Sequence, residues 1–188
     1  MKIVLASASE RRVELLKRLV DDFDVIVSDF DENKIKLEGS ITKYVEDIAF
    51  GKAKDVAMKM SNDSVIIAAD TVVVFNEEVL GKPTNKTDAF NMLTKLSGNT
   101  HEVYTSVVVI NKAKDITIKS TESTKVKFSK LSNKEIEKYI NTNEPMDKAG
   151  AYGIQGYGGV FVESINGCYY NVVGLPLSRL RKILLEII

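Results

Sequence analysis

The sequence predicts a mixed α/β fold in which a central mixed β-sheet carries helices on its faces. Two observations support this class. Apolar runs of strand length alternate along the chain with segments whose apolar residues recur at helical spacing. Two long strand-like stretches, Thr100 to Ile110 and Ile116 to Phe128, flank a short polar turn, so we expect them to be adjacent and antiparallel. The order of the strands does not follow from these patterns, and an α+β arrangement stays open.

Composition excludes several classes of protein. The chain has 188 residues with 26 basic and 26 acidic side chains, so it lacks the basic surface that capture of a nucleic acid polymer requires. One cysteine and one histidine cannot build a disulfide or a zinc site, so any metal must be held by oxygen atoms. No apolar run reaches the roughly 18 residues of a membrane span. We expect a cytoplasmic protein of one domain, residues 1–188, without membrane contact.

The N-terminal segment predicts a strand, a tight turn and a helix. Lys2 to Ala6 is a short apolar run, and Ser7 and Ser9 then supply hydroxyls that can cap a helix over Glu10 to Val20. A second short strand is predicted at Phe23 to Val27, followed by an acidic loop.

The next two elements each carry one charged side chain on an apolar surface. From Thr42 to Met60 the apolar residues recur every three to four positions, and Lys52 falls on that same face. Val65 to Phe75 is almost continuously apolar, as in a strand buried on both sides, although Asp70 lies within it. If the strand instead ended at Ala69, the carboxylate would lie in a solvated turn.

The rest of the chain alternates helices, short strands and glycines. The patterns predict a turn at Leu80 to Pro83, a helix from Asn85 to Leu96, a capped helix from Ser132 to Ile140, short strands at Gly159 to Ile165 and Tyr169 to Val173, and a helix that starts at Pro176. Seven of the eleven glycines lie between Gly150 and Gly174, which predicts unusual backbone angles or a close approach to a ligand. The C-terminal apolar residues suit either a core or a homodimer contact: Leu184, Leu185, Ile187 and Ile188.

Two arginines follow the first strand. Arg11 and Arg12 fall in the first turn of the predicted helix, where basic side chains oppose the helix dipole unless an anion is present. A phosphate would satisfy both. The alternative is a pair of solvated arginines on an ordinary capped helix.

Asp70 is the most informative single residue. A carboxylate inside an apolar strand is costly unless it is paired, protonated or bound to a metal. Lys52 and Lys82, together with the two arginines, would neutralise a polyphosphate, and Glu32 offers oxygen ligands of the type that Mg²⁺ or Mn²⁺ accepts. The chain has no Gly-x-x-x-x-Gly-Lys-Ser/Thr segment, which excludes a P-loop.

Five motifs in one order resemble the Maf family of nucleoside triphosphate pyrophosphatases, nearly from end to end of the chain. They are Leu5 to Arg12, Ala69 to Val73, Leu80 to Pro83, Asp147 to Gly156 and Asn171 to Leu177. One residue departs from the family pattern, which usually has proline before the arginine pair, where this chain has Glu10. Its negative charge beside the expected phosphate site predicts weaker phosphate affinity with an unchanged fold.

The resemblance implies hydrolysis of a nucleoside triphosphate between the α and β phosphates, with a divalent cation, Mg²⁺ or Mn²⁺. It also implies an elongated two-lobed fold similar to that of inosine triphosphate pyrophosphatases, with the active-site cleft between the lobes. By motif position, Asp70 would be the catalytic proton acceptor, and Glu32 with Asp70 would hold the metal. The positions that would handle phosphate are Ser7, Ser9, Arg11, Arg12, Lys52 and Lys82, the two lysines being assigned to catalysis.

Substrate choice within the family follows three positions, which are Arg12, Thr71 and Gln155 in this chain. The Asp-Thr and Ile-Gln-Gly sequences resemble the subgroup that acts on dTTP and UTP. An N7-methyl-GTP pyrophosphatase and a non-catalytic nucleotide-binding regulator of septum formation are the alternatives.

Other catalytic arrangements have less support. The segment Val25 to Asp31 superficially resembles the Asp-x-Asp strand end of aspartyl-phosphate phosphatases, which would make Asp29 essential and release orthophosphate. His101 lacks a Gly-x-Ser-x-Gly partner motif, and Cys168 is expected to pack rather than react.

Overall fold

The computed structural model describes residues 1–187, which form a mixed α/β fold. The strands are β1 (Lys2–Leu5), β2 (Asp24–Val25), β3 (Ser64–Phe75), β4 (Glu78–Leu80), β5 (Thr100–Asn111), β6 (Ile116–Phe128) and β7 (Val162–Asn166). The α-helices are α1 (Glu10–Leu16), α2 (Ile41–Lys59), α3 (Lys86–Leu96), α4 (Asn133–Ile140), α5 (Tyr169–Val173) and α6 (Leu177–Ile187). Short 3₁₀ turns cover Glu32–Lys34, Glu144–Asp147, Ala149–Ala151 and Tyr157–Phe161.

The sheet is mixed, as the sequence predicts. In the described residues its order is β2-β1-β3-β5-β6-β7, and β4 pairs with β3. Strand β1 is parallel to both neighbours, and its register with β3 runs from Lys2 opposite Ser64 to Leu5 opposite Ile67. Strands β4 and β7 are antiparallel to β3 and β6.

The chain divides into two compact units. Unit 1 contains Met1–Asp70, Thr105–Glu122 and the residues from Gly174 onward; unit 2 contains Thr71–Tyr104 and Ser123–Val173. Within unit 1, the apolar face of α2 packs against β1 and β3, because small residues such as Ala49 and Ala53 let the helix approach Val4 and Ile66 closely. This packing brings the middle of α2 to the strand that carries Asp70.

Unit 2 has its own core, built largely from α3, α4 and aromatic side chains. Phe128 contacts both His101 and Tyr152 edge to face, with ring centroids 5.0 and 4.7 Å apart. Leu93 and Ile136, from α3 and α4, are buried in the same cluster. Whether an active-site cleft lies between two lobes stays a prediction.

Several boundaries differ from those expected. Helix α1 ends at Leu16 rather than Val20, and β2 keeps two of the five residues predicted at Phe23 to Val27, Asp24 and Val25, which lie opposite Val4 and Leu5. The strand predicted at Tyr169 to Val173 is helix α5, and the one predicted from Gly159 starts as a 3₁₀ turn and becomes β7 at Val162. The helices α2, α3, α4 and α6 and the long strands lie within one or two residues of their predicted bounds.

The C-terminal helix mostly serves the core. Leu184 and Ile187 are buried, whereas Leu185 is exposed, and Ile188 lies outside the described residues. A homodimer therefore stays a prediction with less apolar surface to support it. In residues 1–187, the helices are too short or too polar to span a membrane.

Candidate active site

Asp70 and Lys52 form a buried ion pair. Strand β3 continues through Asp70, so the alternative of a strand ending at Ala69 is wrong. The Nζ of Lys52, on the apolar face of α2, lies 2.6 Å from Oδ1 of Asp70. The two side chains are only 15% and 11% exposed. The lysine stem packs in the interface between helix and sheet, and its ammonium group neutralises the carboxylate there.

Glu32 contributes a second carboxylate to the same ammonium group. Its Oε1 lies 2.8 Å from the Nζ of Lys52, and its side chain is about half exposed. Glu32 is the first residue of the 3₁₀ turn Glu32–Lys34. Asp31 caps the start of this turn, because its side chain accepts a hydrogen bond from the Asn33 amide. This short turn fixes the direction in which the acidic loop presents Glu32.

The environment of Asp70 is both buried and charged. Burial raises the pKa of the Asp70 carboxyl, and the charges of Lys52 and Arg12 oppose that increase, whereas the negative charge of Glu32 adds to it. A buried carboxylate with a raised pKa is a stronger proton acceptor than a solvated one.

Arg12 ties three segments of unit 1 together. Its Nε donates to the carbonyl of Gly174 and its Nη1 to the carbonyl of Ala69, both at 2.8 Å. The Nη1 also lies 3.5 Å from Oγ of Ser7. Burial lowers the pKa of Arg12, and Asp70 opposes that change. Arg12 therefore holds the backbone next to Asp70, a structural duty that a simple phosphate-binding arginine would not have.

The hydroxyl residues before α1 behave differently from the capping pattern that was expected. Ser9 occupies the N-cap position, yet its side chain makes no capping hydrogen bond. Its amide instead donates to Oγ of the buried Ser7, at 3.2 Å. Arg11 is partly exposed on the first turn of α1. We name the group Ser7, Arg12, Glu32, Lys52 and Asp70 the Asp70 cluster.

Three of the predicted site residues belong to unit 2. Thr71 follows Asp70 directly in β3, and strand alternation places its side chain on the opposite face, the one that carries Val73. Lys82 is exposed just after β4. Gln155 is exposed in a turn closed by a hydrogen bond from the Gly156 amide to the Gly153 carbonyl, at 3.2 Å.

Two motifs of unit 2 contact each other. The Gly150 amide donates to the carbonyl of Gly81, next to Lys82, at 3.0 Å. Gly150 has a φ of 67°, and a Cβ at this position would lie 2.9 Å from the side chain of Val73. The glycine is therefore required both by its backbone angle and by its packing against β3.

Sequence reasoning missed Tyr44. It lies two turns before Lys52 on α2 and is partly buried. Burial raises the pKa of its hydroxyl, and the charges of Asp70 and Glu32 raise it further. A position on the apolar side of the helix, eight residues before Lys52, was the available signal.

The acidic side chains of the site suit a metal ion that is held partly by protein and partly by substrate, rather than one enclosed by protein ligands alone. In residues 1–187, no three His, Cys, Asp or Glu side chains converge as a metal site. Glu32 and Asp70 nevertheless meet at one ammonium group, and Mg²⁺ in nucleotide enzymes is commonly held by one or two carboxylates, with substrate phosphates and water completing the coordination.

Comparisons with known proteins identify the family of this chain. The family described as Maf-like protein matches residues 2–187. The chain belongs to the Maf-like family. A dTTP/UTP pyrophosphatase from Clostridium botulinum is 59% identical over 188 residues, covering all of both chains. One from Clostridium novyi is 61% identical over 185 residues, 97% of this chain and 96% of the relative.

Two solved structures are similar in fold to this chain. The Ham1 protein of Staphylococcus aureus aligns with a TM-score of 0.55 at 15% identity, over 99% of both chains. A nucleoside-triphosphatase, dITP/XTP pyrophosphatase, from Mycobacterium abscessus aligns with a TM-score of 0.50 at 13% identity, over 100% of this chain and 98% of that one. The likeness confirms the predicted fold class.

The other catalytic arrangements gain no support. Asp29 lies outside β2, is largely exposed and pairs with Lys59 at 2.8 Å, rather than ending a buried strand. His101 is buried, and its Nε2 lies 2.8 Å from the hydroxyl of Tyr152. Cys168 uses its backbone amide and carbonyl to contact Thr124, at 3.0 and 3.1 Å, and precedes α5.

Proposed function

We propose that this protein hydrolyses dTTP and UTP between the α and β phosphates, releasing the nucleoside monophosphate and pyrophosphate. The observation that carries the proposal is the Asp70 carboxylate, buried in β3 and paired with Lys52, which also contacts Glu32, in a chain whose relatives are named dTTP/UTP pyrophosphatases. Stability alone does not require such a pair, because burying two charges costs about as much as their attraction returns.

The chemistry assigned to the cluster is an in-line displacement by water. Asp70 accepts a proton from the attacking water as the new oxygen–phosphorus bond forms and the bond to the pyrophosphate leaving group breaks. Lys52 and Arg11 neutralise charge on the phosphates, while Arg12 keeps the strand next to Asp70 in place. Ser7 and Ser9 are proposed to contact phosphate oxygens, and Lys82 is proposed to add a further cation.

A divalent cation, Mg²⁺ or Mn²⁺, is part of the proposal, with Glu32 and Asp70 as its protein ligands. When bound, it would neutralise phosphate charge as a Lewis acid. Lys52 contacts both carboxylates and holds them close to each other. Thr71 and Gln155 are proposed to select the base. We expect the enzyme to act in the cytoplasm, with a nucleoside triphosphate as its partner.

A pyrophosphate-release assay tests the proposal. The protein is incubated with Mg²⁺ or Mn²⁺ and, separately, dTTP, UTP, CTP, N7-methyl-GTP and the common purine triphosphates. Turnover of dTTP and UTP above the others is the expected result. Preference for N7-methyl-GTP would retain the reaction and overturn the specificity. Binding without release would favour a regulatory nucleotide-binding protein, and release of orthophosphate would favour the phosphatase alternative.

Glu10 gives this assay a further use. It is exposed at the start of α1, where the family pattern has proline. Glu10→Pro should lower the KM for the triphosphate, because it removes a negative charge near the phosphates and fixes the helix start. An unchanged KM would show that the departure has no effect on phosphate affinity.

A further inference from the structure

The turn that carries Gln155 is fixed to the body of unit 2. Ile154 and Gln155 are its central residues, between Gly153 and Gly156. Ile154 packs against the unit 2 core, and Gln155 is exposed. One central residue therefore anchors the turn while the other faces outward.

Glu144 holds the chain immediately after the turn. Its Oε2 accepts a hydrogen bond from the amide of Tyr157 at 2.8 Å, and its Oε1 accepts one from the amide of Gly158 at 3.2 Å. These amides open the 3₁₀ turn Tyr157–Phe161, whose first N–H groups have no partners within the turn itself. The carboxylate thus replaces the missing acceptors and fixes the far end of the Gln155 turn.

Tyr139 holds the chain before the turn. Its hydroxyl, on α4, donates to Oε1 of Glu144 at 2.8 Å and accepts from the amide of Gly153 at 3.2 Å. Burial raises the pKa of the Tyr139 hydroxyl, so it remains a donor at neutral pH. One phenol and one carboxylate therefore link both ends of the turn to each other.

The glycine at position 156 follows from this link. A Cβ on Gly156 would lie 2.5 Å from Cδ of Glu144 and closer still to Oε2, so any other residue type would displace the carboxylate from its backbone partners. The glycine-rich sequence was expected to reflect unusual backbone angles or a ligand. At Gly156 the cause is instead the close approach of the Glu144 carboxylate to the backbone.

We propose that Glu144 and Tyr139 are positioning residues for base selection, acting through Gln155. This inference rests on the proposed function. A carboxamide matches uracil or thymine by donating to O4 and accepting from N3–H, and the same group rotated by half a turn would match cytosine. A turn that is not held would let the Gln155 carboxamide approach the base edge from other positions and in either orientation, so discrimination between these bases should weaken when the backbone presenting Gln155 is loosened.

Tyr139→Phe tests this inference most cleanly, because it removes one hydroxyl and keeps the ring. The kcat/KM for dTTP and UTP should fall about 10-fold, through KM, with kcat changed by less than about threefold. The ratio of kcat/KM for UTP over CTP should fall by a similar factor. Glu144→Gln should have the same effect, because a glutamine side chain has one oxygen that can accept hydrogen bonds instead of two.

A double-mutant cycle with Gln155→Ala separates positioning from general destabilisation. If the hydroxyl acts through Gln155, then Tyr139→Phe should not lower the UTP-to-CTP ratio further in the Gln155→Ala background. Ser97→Ala is the matched control, because the Ser97 hydroxyl accepts from the Leu131 amide at 2.7 Å in the same unit. It should leave the ratio unchanged.

The outcomes distinguish the two proposals. Failure of the unaltered protein to release pyrophosphate from any triphosphate overturns the proposed function, and the positioning role with it. If the wild-type protein turns over dTTP and UTP, but Tyr139→Phe leaves the ratio of kcat/KM for UTP over CTP unchanged, the positioning role alone is overturned. If Glu144→Gln does not fold, Tyr139→Phe and its double-mutant cycle with Gln155→Ala still test the positioning role.

Discussion

The Nζ of Lys52 lies 2.6 Å from Oδ1 of Asp70, between a helix face and a strand that are otherwise apolar. Replacing one partner of such a pair leaves the other charge uncompensated, which usually costs several kcal/mol. Here Glu32 gives Lys52 a second partner at 2.8 Å. The loss of Asp70 should therefore be tolerated by the fold better than the loss of Lys52.

Asp70→Asn should reduce kcat by about 10²- to 10⁴-fold, because it removes the proton acceptor while keeping the size of the side chain. Circular dichroism and thermal unfolding should show a folded protein. Asp29→Asn is the matched control, since Asp29 is an exposed carboxylate of the same unit that pairs with Lys59. Retained turnover in Asp70→Asn, or lost turnover in Asp29→Asn, would contradict the assignment of the catalytic carboxylate.

Glu32→Gln should raise the Mg²⁺ concentration needed for half-maximal activity by about 10-fold or more, because it halves the carboxylates available to the metal. Chelation with EDTA should abolish turnover, and added Mg²⁺ or Mn²⁺ should restore it. Titrating Mg²⁺ at saturating dTTP measures the change. Full activity in EDTA, or an unchanged metal requirement in the variant, would remove Glu32 from the metal site.

Arg12→Lys should destabilise the protein by about 1–3 kcal/mol, because a lysine cannot reach the carbonyls of both Ala69 and Gly174. Arg11→Lys keeps the charge on the neighbouring, partly exposed residue and should change the unfolding free energy by less than about 0.5 kcal/mol. Urea unfolding of the two variants measures the difference. Equal stabilities would contradict the structural role assigned to Arg12.

Much of unit 1 could be predicted from residue patterns, because its elements depend on local periodicity. The 3.6-residue period of α2 placed Lys52 on the buried face, and the apolar run of β3 marked Asp70 as an unusual carboxylate. Their pairing followed from neither pattern. It depends on α2 lying across β3, a contact between segments 18 residues apart in the chain.

Errors occurred where tertiary contacts override local preference. The Tyr-Tyr-Asn-Val-Val segment favours a strand by composition, yet it forms α5. Asn171, at its centre, is buried and donates to the Val103 carbonyl and the Thr124 hydroxyl, which hold the segment in place. The Glu144 carboxylate escaped notice for a similar reason, because two of its partners are backbone amides more than ten residues away, which leave no side-chain pattern in the sequence.

His101 should make the protein less stable as the pH falls. Its ring is buried between Phe128 and Tyr152, and burial lowers its pKa from 6.5 to about 4. Between those values the unfolded chain binds a proton that the folded protein does not, so stability decreases as pH falls through this window. The loss by about pH 4 is on the order of 3 kcal/mol.

Urea unfolding followed by tyrosine fluorescence, at several pH values from about 7 down to 4.5, measures this loss. His101→Gln should flatten the dependence of the unfolding free energy on pH in this range, because the variant has no titrating ring. Tyr152→Phe removes the hydroxyl that lies 2.8 Å from His101 Nε2, so it should lower stability while keeping the pH dependence. His101 is the chain's single histidine. An equally steep decline of the unfolding free energy in His101→Gln would therefore show that the titrating group is not a histidine.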